Sequence, residues 1–304
     1  MNCAADVARP RRRAAIVGAA RDCARHLPRV LDNLGRIAQI YAETFFVFAV
    51  SDSSDDTFKQ LETWIAKGRT GRVVDLGALK PSLPVRTARI AHARNACLEA
   101  VRESIAAEYD HLIVVDLDDV LDGDLAIDAV RQAADWLDAA PDRAGVFANA
   151  APRYYDIWAL RHESWCPGDC WHAIWGRPAD QSFEAAKFRE SLFRQIVLPA
   201  AMPPIAVQSA FGGLGLYKMP FARQGAYRGI DLQDRPVSEH VAFNEAIRKA
   251  GGRLHIFPSL IVQAPRQHLY GADELSLRWR LRMQLRRLAE RVSPPWRALL
   301  QDKR

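Results

Sequence analysis

Residues 112–121 read Leu-Ile-Val-Val-Asp-Leu-Asp-Asp-Val-Leu, an apolar run that ends in three carboxylates. Asp116, Asp118 and Asp119 are spaced to leave a buried strand together where it meets solvent. Like charges this close repel, so the cluster needs a cation to be tolerable. An Asp-x-Asp at a strand end suits a divalent cation, which in turn holds a phosphate.

The elements before this run must position it. Residues 14–19 read as a first buried strand, and Arg21-Asp22 opens a loop. Leu27, Val30, Leu31, Leu34 and Ile37 then recur at helical spacing. Residues 45–50 form a second apolar strand, closed by Ser51-Asp52-Ser53-Ser54-Asp55-Asp56-Thr57, which offers several N-caps to the helix carrying Phe58, Leu61, Trp64 and Ile65. A third strand spans 72–76, a loop with two prolines 77–87, a helix 88–104 and the fourth strand 111–115. This β-α-β-α-β-α-β order predicts a mostly parallel sheet covered by helices. Right-handed crossovers bring the strand C-termini to one edge, where ligands bind. The Arg21-Asp22 loop, the 51–57 cluster and the 116–119 carboxylates should therefore share one crevice.

The second half is less regular. Residues 125–137 read as a helix, 145–149 as a strand, 238–250 as a helix, and 254–257 and 260–262 as short strands. The 151–180 stretch is rich in aromatics, including Tyr154, Tyr155, Trp158, Trp165, Trp171 and Trp175, and Gly212-Gly213-x-Gly215 reads as a turn. From 275 onward Leu277, Leu281, Leu285 and Leu288 recur between arginines, up to Pro294-Pro295. A basic amphipathic helix of this kind lies on an anionic membrane or packs on its own domain.

Bulk properties narrow the classes. The chain has 304 residues, 49% hydrophobic and 26% charged, which fits a globular protein with a sizeable core. A formal charge of +6 suits anionic ligands such as nucleotides, or an anionic membrane surface. It is too scattered to argue for nucleic acid. Five irregularly spaced cysteines, Cys3, Cys23, Cys97, Cys166 and Cys170, point to a reducing compartment. Cys166 and Cys170 with His162 and His172 read better as free thiols than as a zinc site, because no second ligand pair follows. No secretory signal or membrane-length apolar run is present. A cytoplasmic protein is expected, working at the inner membrane face if the tail binds lipid.

Two families end a buried strand with Asp-x-Asp. Residues 114–121 resemble the opening motif of haloacid dehalogenase-like phosphatases, which implies Asp116 as nucleophile, Asp118 as general acid and Mg2+ bridging carboxylate and phosphate. That motif normally lies on the first strand, whereas three βα units precede it here. The downstream acidic pair is reduced to Gly168-Asp169 or Asp231-x2-Asp234.

The chain over roughly 14–268 is similar to GT-A-fold nucleotide-sugar glycosyltransferases. The resemblance rests on the order of Arg21-Asp22, Ser51-Asp52-Ser53-Ser54-Asp55-Asp56-Thr57, Arg94-Asn95, Asp116-x-Asp118, Gly212-Gly213-x-Gly215 and Ser238-Glu239-His240. The Ser-Asp-Ser-Ser-Asp-Asp-Thr string looks like the fungal mannan and capsule mannosyltransferases; bacterial surface-polysaccharide enzymes are the other comparison.

This resemblance implies an α/β GT-A domain over 14–270, a nucleotide-binding half at 14–122, an acceptor half at 123–270 and a helical tail at 271–304. It implies a nucleotide-diphosphate sugar donor and a glycan or lipid-linked acceptor. Asp118 and Asp119 would hold the metal, Mn2+ or Mg2+, with His268 completing its shell. Ala19, Arg21, Asp52, Ser53 and Asp116 would line the nucleotide-sugar, Arg94 would pair with its phosphates, and Gly212 and Gly213 would let backbone approach the sugar. Glu239 would take the acceptor proton, with His240 as alternative base or ligand.

Plainer roles stand beside each. Asp52 could cap a helix, Glu239 could stabilise a helix N-terminus, Arg94 and Arg21 could be surface cations, His268 an ordinary loop histidine, and the glycines a simple turn. The aromatics could be core residues rather than an acceptor platform. A non-catalytic carbohydrate-binding scaffold would keep the fold without metal affinity.

Overall fold

A computed structural model describes residues 12–269. The expected helical tail at 271–304 lies outside the described residues. Eight strands form one sheet: β1 (Arg13–Ala20), β2 (Glu43–Val50), β3 (Gly71–Asp75), β4 (His111–Asp116), β5 (Arg143–Ala151), β6 (Ile205–Val207), β7 (Leu214–Lys218) and β8 (Arg253–Gln263). Their order is β3-β2-β1-β4-β7-β5-β8-β6. The first four strands are parallel, as expected, and β8 runs parallel to β5. β7 is antiparallel to both β4 and β5, and β6 is antiparallel to β8.

Helices cover both faces. The longer ones are α1 (Leu27–Ala38), α2 (Thr57–Ala66), α3 (Arg86–Arg102), α4 (Ile127–Asp138) and, farther on, α8 (Glu239–Lys249). Between them lie α5 (Cys170–Trp175), α6 (Phe183–Glu190) and α7 (Met219–Ala222). Alternation along β4 decides the layering. Ile113 and Val115 enter the core with Leu34 of α1, Leu61 of α2 and Leu137 of α4. Leu112 and Val114 enter the opposite core with Leu98 of α3 and Phe243 of α8. Burying each such Leu, Ile or Phe contributes about 1.5–3 kcal/mol of transfer free energy. A strand hydrophobic on both faces has to sit mid-sheet, so its acidic end can emerge only at the edge.

Two segments differ from the sequence expectation. The Gly212-Gly213-x-Gly215 stretch, read as a turn, runs straight into a strand, β7, at Leu214–Lys218. Residues 254–257 and 260–262, read as two strands, are one strand interrupted at Pro258: Phe257 pairs with Ala148 and Ile261 with the next residue, Asn149. Proline has no N–H for the ladder, so the intervening residues bulge out. The Asn149 side chain donates to the Pro258 carbonyl at 3.0 Å and holds the bulge in place.

Candidate active site

Ala19 of β1 pairs in register with Asp116 of β4, and Ala20 with Val50 of β2. The ends of the three strands are therefore level, and the loops that follow them meet. Asp116 Oδ1 accepts from Arg94 Nη2 at 2.7 Å, and Arg94 Nε donates to Glu239 Oε1 at 3.0 Å. Arg94 comes from α3 and Glu239 from the first turn of α8, so one guanidinium ties three elements together. It is 5% exposed and lies 4.9 Å from the Phe211 ring centre. Burial lowers the Arg94 pKa, but the charges of Asp116 and Glu239 outweigh that and raise it. Burial raises the Asp116 carboxyl pKa, opposed by Arg94.

Arg94, expected to pair with the phosphates, thus ties α3, β4 and α8 together through Nε and Nη2, while its Nη1 is buried without a hydrogen-bond partner. The His240 ring stacks on Phe211 at 3.7 Å, and both ring nitrogens are buried without a hydrogen-bond partner. Burial and Arg94 hold its pKa well below the ordinary histidine value, so the ring is neutral. Sealed in this way, His240 does not present a base or a metal ligand to the cleft. Glu239 is nearly buried and shares its Oε1 with Arg94 and, at 3.5 Å, His240 Nε2.

Asp118 is accessible within the cleft. Its Oδ1 accepts only a 3.2 Å bond from Val120 N–H. Loss of bulk water, and then the negative charge of Asp116, push the carboxyl up to about 7. Asp119 adds to that repulsion from its half-buried position. His268 stacks on Tyr155 at 5.8 Å, beside the carboxylates whose charge Tyr155 feels. The expected trio of Asp118, Asp119 and His268 is not assembled: among the described residues no three His, Cys, Asp or Glu side chains form a metal-holding group. The donor set still fits Mg2+ or Mn2+. Such ions are commonly held by one or two carboxylates and completed by substrate phosphates and water, and Asp118 lacks the counter-charge that a cation would supply.

Across the crevice, Asp52 takes the left-handed conformation at φ 53°. Its Oδ1 accepts from Lys80 N–H at 2.9 Å. Oδ2 is buried without a hydrogen bond, 3.8 Å from Arg89 Nε. Asp52 does not cap α2; Asp55 instead accepts from Thr57 N–H and from Ala24 N–H. Ser53 Oγ accepts from Asp22 N–H at 3.1 Å, and Asp22 Oδ1 accepts from Ser54 N–H at 2.8 Å, so the loops after β1 and β2 are stitched together. Arg21 is exposed, with Nε 3.4 Å from Asp22 Oδ2.

No protein-family model matches this sequence, and no curated protein does. Solved structures do match. The mannosyltransferase PcManGT from Pyrobaculum calidifontis, in complex with GDP-Man and Mn2+, is 17% identical with a TM-score of 0.50, over 94% of this chain and 66% of that one. S. aureus TarS is 12% identical with a TM-score of 0.50, over 83% of this chain and 36% of that one. Both neighbours are GT-A glycosyltransferases. The fold is GT-A. At 66% and 36%, this chain spans less than two thirds of either neighbour's length.

In the GT-A frame the turn before β7 closes the crevice. Gly212 and Gly213 have φ of 70° and 94°. A Cβ would lie 2.5 Å from the Ala148 carbonyl oxygen at Gly212 and 2.3 Å from Val120 Cγ1 at Gly213. Only glycine fits either position. Gly213 C=O accepts from Asp116 N–H at 2.9 Å, so the turn is bonded directly to the acidic strand end.

Two residues that sequence reasoning missed belong to this site. Asp156 accepts from Gly212 N–H at 2.9 Å and Ala159 N–H at 3.3 Å; burial outweighs those bonds and pushes its carboxyl up to about 6. Arg86, exposed at the start of α3, has its charge felt at both Asp116 and Asp118. A loop position and a helix terminus give no periodic signal by which either could be found. An open groove of ≈ 640 Å³ between α1 and α2, lined by Asp32, Lys59 and Arg69 among others, contains none of the candidate residues. The placement of chemical groups, not volume, marks the site.

Proposed function

We propose that this chain is a metal-dependent glycosyltransferase that moves a sugar from a nucleotide-diphosphate donor to a glycan or lipid-linked acceptor. One observation carries the reading. The acidic end of β4 and the loops after β1 and β2, which carry Arg21 and Asp52, meet at one edge of the sheet, the edge where this architecture binds ligands. Asp52 would accept from a nucleobase or ribose donor, with Ala19, Arg21 and Ser53 around it. Asp118 and Asp119 would hold Mn2+ or Mg2+, with His268 near enough on its loop to be tested as a further ligand. A divalent cation there supplies Lewis-acid stabilisation of the departing diphosphate. Arg86 replaces Arg94 as the cation that meets the phosphates. Gly212 and Gly213 admit the donor sugar to bare backbone.

Two carboxyls compete for the acceptor's proton. Glu239 has the position that the resemblance implies, but Arg94 occupies its Oε1. Asp156, near pH 6, is closer to the value that suits a general base. The mannosyl donor is the first to test, because both the sequence resemblance and PcManGT point to it. Unpaired Cys23, Cys97, Cys166 and Cys170 support a cytoplasmic setting.

The phosphatase alternative needs Asp116 as a free nucleophile, and Arg94 occupies its Oδ1. Calorimetric titration of GDP and UDP with and without Mn2+ tests the proposal. Tight binding that EDTA and Asp118→Ala both abolish is expected. Nucleotide binding indifferent to either change would refute it, and no binding of metal or nucleotide would favour a scaffold.

A further inference from the structure

Residues 196–207 read Ile-Val-Leu-Pro-Ala-Ala-Met-Pro-Pro-Ile-Ala-Val, without one charged or hydrogen-bonding side chain. They form a loop from the short turn at Leu192–Arg194 into β6. Surface loops are ordinarily polar, and apolar stretches left in water mark contact surfaces. Here Phe193 is 70% exposed, Val197 60%, and Ile196 and Met202 41% each. These four, within ten residues, are among seven large hydrophobic side chains exposed across the described chain.

The backbone beneath them is fixed. Tyr154 N–H donates to the Ile196 carbonyl at 2.9 Å, and Asn149 Nδ2 to the Leu198 carbonyl at 3.0 Å. The apolar side chains are thus held outward by internal bonds.

The charge beside the loop is net positive: over residues 183–207, Lys187, Arg189 and Arg194 stand against Glu184 and Glu190. Of the two carboxylates, Glu190 is 9% exposed and engaged by both arginines. No Asp or Glu occurs between Glu190 and Asp231.

We propose that residues 193–202 are a membrane-contact surface, which places Phe193, Val197 and Met202 in the acyl boundary of a bilayer with anionic headgroups, under a cationic rim. Apolar side chains beside lysine and arginine are the composition that binds such an interface, by area buried and by attraction to anionic lipid. Among the described residues no helix is long and apolar enough to cross a membrane, so the contact is peripheral. The surface adjoins the cleft. Gln195, between the exposed residues, donates to the His268 carbonyl at 2.6 Å, and His268 stacks on Tyr155 beside the carboxylates. An acceptor carried on a lipid would arrive there. The inference goes beyond the donor-site reading and does not rest on it.

Vesicle flotation of the full-length protein tests it, with phosphatidylcholine alone or mixed with phosphatidylglycerol, in the absence of nucleotide and metal. The wild type is expected to float with the phosphatidylglycerol vesicles, and the triple variant Phe193→Ser, Val197→Ser, Met202→Ser to bind roughly tenfold more weakly with unchanged thermal unfolding. Arg189→Glu should lower the preference for phosphatidylglycerol. Equal flotation of the triple variant would overturn the proposal by showing that another segment, such as the arginine-rich tail, does the binding. Absence of wild-type flotation would also overturn it, as would a wild-type dimer in sedimentation that the triple variant loses.

Discussion

Replacing Arg94 with methionine separates a structural cation from a phosphate ligand. The substitution keeps the volume and the apolar stem against Phe211 but leaves Asp116 and Glu239 facing one another without counter-charge. Removing one partner of a buried ion pair costs about 3–5 kcal/mol. At roughly 2–4 °C of midpoint per kcal/mol for a domain of this size, the unfolding temperature should fall by roughly 6–20 °C. The sign of the pH dependence follows. Burial already raises the folded-state Asp116 carboxyl, and without Arg94 it rises further above its unfolded value, so stability is lost as pH climbs through that interval. The deficit should therefore be larger near pH 8 than near pH 5, measured by thermal unfolding at both. Arg94→Lys should recover little, since an ammonium cannot reproduce the fork that spans two carboxylates. A midpoint drop under about 2 °C near pH 8, accompanied by weakened nucleotide binding, would refute the reasoning and return Arg94 to the phosphates.

Asp118→Ala should abolish the Mn2+-dependent thermal stabilisation given by a nucleoside diphosphate, with little change in the metal-free midpoint. Asp52→Asn swaps an acceptor for a donor at one position and should weaken nucleotide binding roughly tenfold by calorimetry, about 1.4 kcal/mol; unchanged affinity would remove Asp52 from the base-binding role. The Asp156 carboxyl, raised to about 6 in the fold, costs stability as pH rises from its ordinary 3.8 toward 6. Asp156→Asn should consequently gain on the wild type across that window, and if Asp156 is the base, wild-type kcat/KM should fall below about pH 6 while the variant is inactive. Gly213→Ala, forced against Val120 at positive φ, should lose about 2 kcal/mol or more in denaturant unfolding.

The first half was legible because it is built from local rules. Strand, loop and helix alternate with clear periods from residue 13 to 116, and the boundaries differ from the observed ones by a residue or two. The level ends of β1, β2 and β4 follow from parallel connection alone. β7 escaped because Leu214–Lys218 is short and punctuated by glycine; its strand character comes from β4 and β5 on either side, which no local window contains. For Arg94 the resemblance implied a partner of the phosphates, with a surface cation as the plainer role. Its burial depends on Phe211, Tyr227 and Glu239, each more than a hundred residues away, so no pattern within α3 could announce it. Asp156 lies in an aromatic stretch without period. His268 was placed by resemblance alone, and the fold sets it on Tyr155.

The excursion that leaves β5 at residue 152 and rejoins the sheet at β6 has a consequence for how such an enzyme can change. It holds the aromatic cluster, Asp156 and the greasy loop, yet it is slung between two strands of a sheet whose parallel part, β1 to β4, is already complete. Under the proposed function, grafting a different excursion onto the same scaffold would redirect the chain to a new recipient without rewriting its fuel supply. Selection can therefore diversify one side of the molecule quickly while the other stays put.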